Sequence, residues 1–432
     1  MSQARRLANP APKGRNWQLS LGVIAMIAAS SPQYVWALFV PAVKAELAAP
    51  LSAVQVTIAI FSICMCGLGP IHGFLAARIK TSYFVAIGGL LIGLSWVTSA
   101  MTHSLAEFYV TYGVLSGLGV GFVYVAVTDL MNQWFPDRRG FAVGMAAGGY
   151  GFGAILTTFP IDFAINAYGY RFALLAVGGL LGVVCVLAAL GMKKPAAPLA
   201  LAPATGTQLA DVEDMPPSRM LKTGAFWLLF AMMTMVGTGG LMVISQIAVF
   251  AKSFGIGPTT AVLGMAALPL ALTLDRFANG AARPTFGWIS DRIGREHTMA
   301  IAFSLEAVSI LALLAFGSDP LLFVLLSAMV FFGFGEIFSL FPSAQADLFG
   351  TRYSAQNFGF LLASIAVSSL LGGPLAALMF ERTGSWLAVF GSVATMDVLA
   401  AVLALTVLKP LRIRRIAAAV RSEPLSNPVQ AI

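Results

Sequence analysis

Long apolar runs, each of about 18–25 residues, repeat along the chain and are separated by short polar loops where the charges gather. A helix of that length crosses a hydrocarbon core of roughly 30 Å. Twelve such spans are predicted, at 17–40, 52–77, 82–101, 106–134, 141–165, 170–192, 223–250, 259–289, 298–317, 320–348, 355–380 and 384–408. Several are longer than a simple crossing, which implies tilt or protrusion. The fold class read from this pattern is an all-α membrane protein of twelve transmembrane helices in two pseudo-symmetric six-helix bundles. The polar, Pro-rich stretch at 193–222, with KKPAAP, DVED and PPSR, reads as a linker. The predicted organisation is therefore a bundle at 1–192, a linker at 193–222, a bundle at 223–408 and a tail at 409–432.

The halves repeat. GPIHGFLAARIK at 69–80 matches RPTFGWISDRIG at 283–294 with an offset of 214, pairing Pro70 with Pro284, Gly73 with Gly287 and Arg78 with Arg292. The same offset pairs Phe135 with Phe349 and Arg138 with Arg352. Two homologous halves are a recurrent way to build a secondary carrier.

Composition agrees. Of 432 residues, 58% are hydrophobic and 10% charged, whereas a soluble domain averages roughly 25% charged. The net charge of +8 does not point to nucleic acid, because of where it sits. With both termini cytoplasmic, 20 of the 26 Lys and Arg residues fall in cytoplasmic loops and tails and 4 on the other side; Arg276 and Arg283 lie within a span. That asymmetry sets orientation in the inner membrane. The first apolar run is a full span, so it reads as an uncleaved helix. Cys64, Cys66 and Cys185 sit inside apolar runs without metal-site spacing and read as small hydrophobes. Nucleotide loop, metal cluster and nucleophile triad are absent from the sequence, which argues against an enzyme; no cofactor or metal is expected.

Charges within spans are costly and mark function. In the eighth span Arg276, Asn279, Gly280 and Arg283 recur at i, i+3, i+4 and i+7, on one helical face. Arg283 presents a fork able to grip a carboxylate at two points. Its alternative is a structural ion pair. Asp275 and Arg276 read first as a structural pair. Glu336, in FGFGEIFSLFPS, is either a proton carrier or the resting partner of Arg283; Glu306 lacks such context. Asp129 is a cap or gate candidate, and His72 reads as structural. Gln33, Tyr34, Trp36, Tyr124 and Tyr150 lie too deep for an interfacial belt and supply neutral donors to an anion.

Gly287, Asp291, Arg292 and Arg295 form a G-x-x-x-D-R-x-G-R loop, read as a gate in which Asp291 pairs with a helix N-terminus or an Arg and holds one state closed. The plainer alternative is a solvated loop whose arginines set orientation. The first-half copy has Ala77 in place of the acid, so the latch falls to the second half.

SPQYVWALFVPAVK (31–44), WFPDRRGFAVGMAAGGYGFG (134–153), NGAARPTFGWISDRIGR (279–295) and LFPSAQADLFGTRYSAQNFGF (340–360) together resemble the oxalate/formate antiporter family of the major facilitator superfamily, over nearly the whole chain. The resemblance implies a carrier binding an organic anion with an eighth-helix Arg, here Arg283, and a lining at Gln33, Tyr34, Tyr124 and Tyr150. It also implies an eleventh-helix Lys, but Ile365 stands there and Leu362 replaces a lining Trp. A single deep cation suits a monocarboxylate, and related monocarboxylate transporters pair such an Arg with an acid and move a proton. The expectation is a carboxylate carrier working as a monomer in the bilayer, as proton symporter or anion exchanger. A drug exporter on the same fold is the competitor, disfavoured by the deep Arg.

Overall fold

The computed structural model describes residues 14–196, 199, 214–257 and 260–422. The N-terminal basic tail, the middle of the 193–222 linker and the last ten residues lie outside that set.

Twelve long helical spans follow one another: α1 Arg15–Glu46, α2 Leu51–Arg78, α3 Thr81–Ser99, α4 Leu105–Trp134, α5 Arg139–Tyr168, α6 Tyr170–Leu190, α7 Gly224–Ser253, α8 Ala267–Ile293, α9 Arg295–Phe316, α10 Pro320–Phe349, α11 Ser354–Thr383 and α12 Trp386–Arg415. Ten are long and apolar enough to cross a membrane, and α2 qualifies as a bent pair. Only α8 has the length without the hydropathy among these spans, because it carries Asp275, Arg276, Arg283, Asp291 and Arg292.

Several bends have identifiable causes. Pro32 and Pro41 flank the break in α1 at Val35, and a π turn at Ile63–Gly67 precedes the 49° bend in α2. Proline removes a backbone donor and clashes with the preceding turn. The break in α10 falls at Glu336, between Pro320–Gly335 and Ile337–Phe349.

Two boundaries differ from expectation. The eighth span begins at Ala267 and not near 259; the preceding residues form a hairpin, β1 (Ala261–Val262) with β2 (Met265–Ala266), turning at Leu263 and Gly264, both with positive φ. The twelfth span does not stop at 408 but runs on as helix to Ser422. Arg412 pairs with Glu296 at 2.6 Å and Arg415 donates to the Leu348 carbonyl at 2.8 Å, which fastens this extension to the neighbouring helices. What reads as tail in sequence is thus, in part, packed structure.

Helix alternation puts Arg78, Arg138, Arg292, Arg352 and Lys409 at one end of the bundle, called here the basic end. The core is organised around it. One apolar cluster joins both halves, with Met131, Trp134, Leu340 and Phe358 among its members. Towards the opposite end the core divides in two. Trp36, Phe39, Trp96 and Tyr112 fill the first half, while Phe250, Phe323 and Phe390 fill the second. The halves therefore meet at the basic end and are packed separately at the other.

Small residues make that meeting possible. A Cβ on Gly73 would strike the Ala355 carbonyl, and one on Gly287 would strike the Gly140 carbonyl, with the Phe141 nitrogen 3.1 Å away. Residues 141 and 355 are themselves 214 apart, so the sequence repeat reappears as two equivalent crossings, α2 on α11 and α8 on α5. Gly69 meets Gly359 backbone to backbone in the first crossing.

Gly359→Ala should lower the melting temperature in detergent by several degrees, since its Cβ would lie 2.7 Å from the Gly69 carbonyl carbon, an overpacking of order 1–3 kcal/mol. Gly179→Ala in α6, with nothing within 4 Å, should leave it unchanged or raise it. Equal melting of the two variants would refute the backbone-contact account.

Candidate functional site

Arg283 sits in α8 where that helix crosses α5. The crossing is tight because Gly144, Gly148 and Gly151 of α5 face Arg283, Pro284 and Gly280 of α8; a Cβ on Gly144 would lie 2.8 Å from the Arg283 carbonyl carbon. The side chain is 1% exposed. Its Nη1 donates to the Ala147 carbonyl at 2.7 Å, and Nη2 donates to Asn279 Oδ1 at 3.0 Å and to the Tyr34 hydroxyl at 3.3 Å. Its Cζ lies 4.6 Å from the centre of the Phe338 ring. All of these partners are neutral. Nε has none.

An aromatic cage surrounds this cation. Tyr150 packs edge-on against Tyr34 at 5.5 Å and Tyr124 at 5.4 Å, and donates its hydroxyl to Gln33 Oε1 at 2.6 Å. Phe338 and Phe358 stand 6.4 and 6.3 Å from Tyr124. The Tyr124 hydroxyl is buried without a partner. The structure thus brings Gln33, Tyr34, Tyr124, Tyr150, Asn279 and Arg283 together. Phe338 and Phe358, which close the cage, go unnoticed in the sequence, where a phenylalanine in a span reads as lipid-facing or core. The repeat held one signal: Phe338 is 214 residues from Tyr124. Trp36 does not join the cage. Its indole donates to Gln55 at 3.3 Å and packs with Phe108 and Tyr112 in the first-half core.

Three expectations are corrected. Asp275 and Arg276 form no ion pair. Adjacent helical residues point about 100° apart; Asp275 is turned inward, 1% exposed and facing Ser327, whereas Arg276 is exposed, its Cζ 6.0 Å from the Tyr34 ring centre. Arg276 therefore stands near the cage, on the side away from the basic end. Glu336 is not the resting partner of Arg283, being fully buried with neither oxygen bonded. Arg292 stands outside the network at the basic end: it is exposed and lies over Trp288 at 3.4 Å.

At the basic end the remaining gate residues close the seam. Asp291 accepts from the Gly140 nitrogen at 3.0 Å and the Phe141 nitrogen at 2.8 Å, so it caps the first turn of α5, where a carboxylate is favoured by the helix dipole. Arg295 bonds Asp291 at 2.6 Å and Asp347 at 2.9 Å, and Asp347 bonds Arg139 at 2.6 Å. This chain ties α5 of the first half to α8, α9 and α10 of the second. Asp347 and Arg139 were not singled out in sequence, because Asp347 lies outside the loop motif. Asp129 pairs with Lys194 at the start of the linker at 3.1 Å and accepts from Gln133 at 2.8 Å. His72 is buried beside Phe122, 5.2 Å away, with both nitrogens unbonded.

Paired helical halves, a cation in the seam between them and a polar network across one end are the architecture of a two-bundle membrane carrier. The model of the Major Facilitator Superfamily matches residues 21–277 and 268–428. The chain is 32% identical to the oxalate:formate antiporter of Oxalobacter formigenes, over 86% of each. It belongs to the major facilitator superfamily and, within it, to the oxalate/formate antiporter family. Monocarboxylate transporter 12 of Rattus norvegicus is 25% identical over 76% of this chain and 72% of that protein. The fold matches a proton:xylose symporter (TM-score 0.67, 14% identity, 91% of this chain and 96% of that one). It also matches the Escherichia coli fucose:proton symporter (TM-score 0.64, 15% identity, 95% and 99%). The chain is a transporter and not an enzyme.

Asp347→Asn should open the basic end, because removing one charge of a buried pair leaves its partners uncompensated at a cost of about 3 kcal/mol. Labelling of a cysteine placed at Asn132, fully buried at the seam, should quicken by an order of magnitude or more. Arg292→Gln should leave it unchanged. Equal labelling in Asp347→Asn and the unaltered latch would remove the gate role from this network.

Proposed function

We propose that the protein is a secondary active transporter that carries a small carboxylate anion across the inner membrane by alternating access, with its basic end and both termini on the cytoplasmic side. The observation that carries this reading is the buried Arg283 with neutral partners alone. An isolated cation in a low-dielectric interior is costly. Arg283 Nε and the Tyr124 hydroxyl are donors without acceptors in one cage, and a carboxylate supplies both acceptors and counter-charge. The names of the antiporter and monocarboxylate relatives support the same substrate class.

The charge count favours a monocarboxylate. Ile365 is buried beside Gly237 where a second deep cation would be needed, and the exposed Arg276 is the nearest substitute. Arg276 acts in this reading at the mouth, drawing anions in. The carrier works as a monomer.

The mode of coupling follows from the same geometry. A symport step in which the substrate displaces Glu336 from Arg283 has no structural basis, since the two are not paired. With Arg283 lacking an acid, the substrate itself is the counter-charge for return of the carrier, which supports exchange of one anion for another. Proton-coupled movement is the second reading, and it requires a protonatable group away from Arg283.

Uptake of formate, acetate, lactate, pyruvate and oxalate into proteoliposomes tests the substrate class. Arg283→Ala and Arg283→Lys should both insert normally and lose most transport, the Lys variant because it keeps charge but loses the planar fork. Tyr124→Phe should weaken apparent affinity by roughly five- to ten-fold, one hydrogen bond of about 1 kcal/mol. Unimpaired uptake by Arg283→Ala would end the anion-anchor reading. Arg276→Gln should slow uptake at low ionic strength and converge on the parent rate at high salt, as steering requires; a salt-independent loss would place Arg276 in the site itself.

A further inference from the structure

Three carboxyl groups of the second half take no part in the cage or the latch. Glu306 on α9, Glu336 at the break in α10 and Asp397 on α12 are each 0% exposed, and none of their oxygens has a hydrogen-bond partner. They stand on helices that pack together, α9 against both α10 and α12.

Among the described residues no cation pairs with them. The charged groups on the packed helices are engaged elsewhere or stand at the ends. On α9, Arg295 is held by Asp291 and Asp347, and Glu296 by Arg412. On α8, Arg283 is bonded to its neutral partners and Asp275 faces Ser327. Lys252 closes α7, and Glu381 and Arg382 close α11. Among the described residues no Lys or Arg side chain bonds any of the six carboxyl oxygens. Among the described residues they do not gather closely enough to hold a metal ion. Even after relaxation, an unpaired buried ion costs several kcal/mol, and three would compound one another. Neutrality by protonation is the arrangement left.

The fold does not demand acids there. The 214-residue offset sets Ile92 against Glu306 and Phe122 against Glu336, and the first half builds the corresponding helices with those apolar side chains. The acids are an addition of the second half.

They also connect to the cage. Asn279, which accepts from Arg283 through Oδ1, donates through Nδ2 to the Phe331 carbonyl of α10 at 3.4 Å. Gly335, one residue before the break, packs on the Asn279 backbone so closely that a Cβ would strike its carbonyl; Gly333 packs on Glu306, where a Cβ would lie 2.7 Å from the Glu306 Cβ. A shift of α8 on anion binding therefore reaches the break that carries Glu336, and through α10 reaches Glu306.

We propose that Glu306, Glu336 and Asp397 form a proton-holding cluster linked to Arg283 through Asn279 and the break in α10, so that proton occupancy and anion occupancy change together. This rests on the reading of Arg283 as the anion site, and it supplies the separate group that proton-coupled transport needs.

The isosteric variants Glu306→Gln, Glu336→Gln and Asp397→Asn mimic the protonated carboxyl and preserve packing. In the purified full-length carrier, infrared absorption of protonated carboxyl groups should be present at neutral pH and fall in each variant. In proteoliposomes, accumulation of radiolabelled pyruvate or oxalate driven by a pH gradient should drop several-fold in at least one variant, while exchange of the same anion persists. Carboxyl absorption untouched by all three substitutions, or wild-type accumulation indifferent to the gradient, overturns the proposal. Arg283→Ala separates the two claims. It should abolish transport and keep the carboxyl absorption, whereas a fully active Arg283→Ala that keeps the absorption would remove the anion-site reading alone.

Discussion

The structure depends on one close contact, the crossing of α5 over α8, where glycines let two backbones touch and leave the Arg283 side chain in the seam. Gly144 abuts the Arg283 carbonyl, and Arg283 Nη1 reaches back to Ala147 one turn further along α5. A larger residue at Gly144 would force the helices apart and with them the halves. The cation is thus held by the very interface that must open for transport. In the proposed reading, binding an anion there and moving the halves are not separate events, since one residue contributes its side chain to the first and its backbone to the second.

Pseudo-symmetry explains why only one crossing carries the chemistry. The offset of 214 sets Gly69 against Arg283. In α2 on α11 the position is filled by glycine, and the helices simply close, Gly69 against Gly359. In α8 on α5 the same position carries the cation. The latch is unequal in the same direction: Asp291 caps α5 and joins Arg295, whereas its first-half counterpart is Ala77, and the equivalent seam has the weak Asn132–Ser354 contact at 3.4 Å. Arg283, the latch acids and the unpaired buried acids all belong to the second half, and the first half contributes tyrosines, Gln33, Arg139 and backbone groups.

How much of this was legible in the sequence follows from the range of each signal. The spans, the repeat and the tyrosines are local patterns, and hydropathy or spacing reveals them. That Arg283 is deep and Gly280 lies beside it is also local. Partners are not. Asp275 and Arg276 are neighbours in sequence and look paired, but one turns to Ser327 and the other towards Tyr34. Glu336 looked like the acid for Arg283 because both are intramembrane charges in Gly-rich stretches. The break in α10 sets its neighbours, and beside it Gly335 packs on Asn279, a contact between residues 56 apart. Asp347 and Asp397 were missed since each is a lone acid in an apolar run, without a motif to mark it.

The geometry of α8 gives the argument its last step. Arg283 and Asp291 are eight residues apart on one helix, roughly 12 Å along its axis. In the proposed reading the first senses an anion; the second caps α5 and ties the basic end across the seam. A carboxylate drawn to Arg283 competes for the guanidinium with Ala147, Asn279 and Tyr34, two of which belong to the other half. Loosening those bonds weakens the tie between α8 and α5 in the middle of the seam, leaving the latch to hold the end alone. An empty carrier, by contrast, keeps both ties. That difference is the differential interaction a ligand must have to shift a conformational equilibrium, and it arises from Arg283 having neutral partners that an anion can replace.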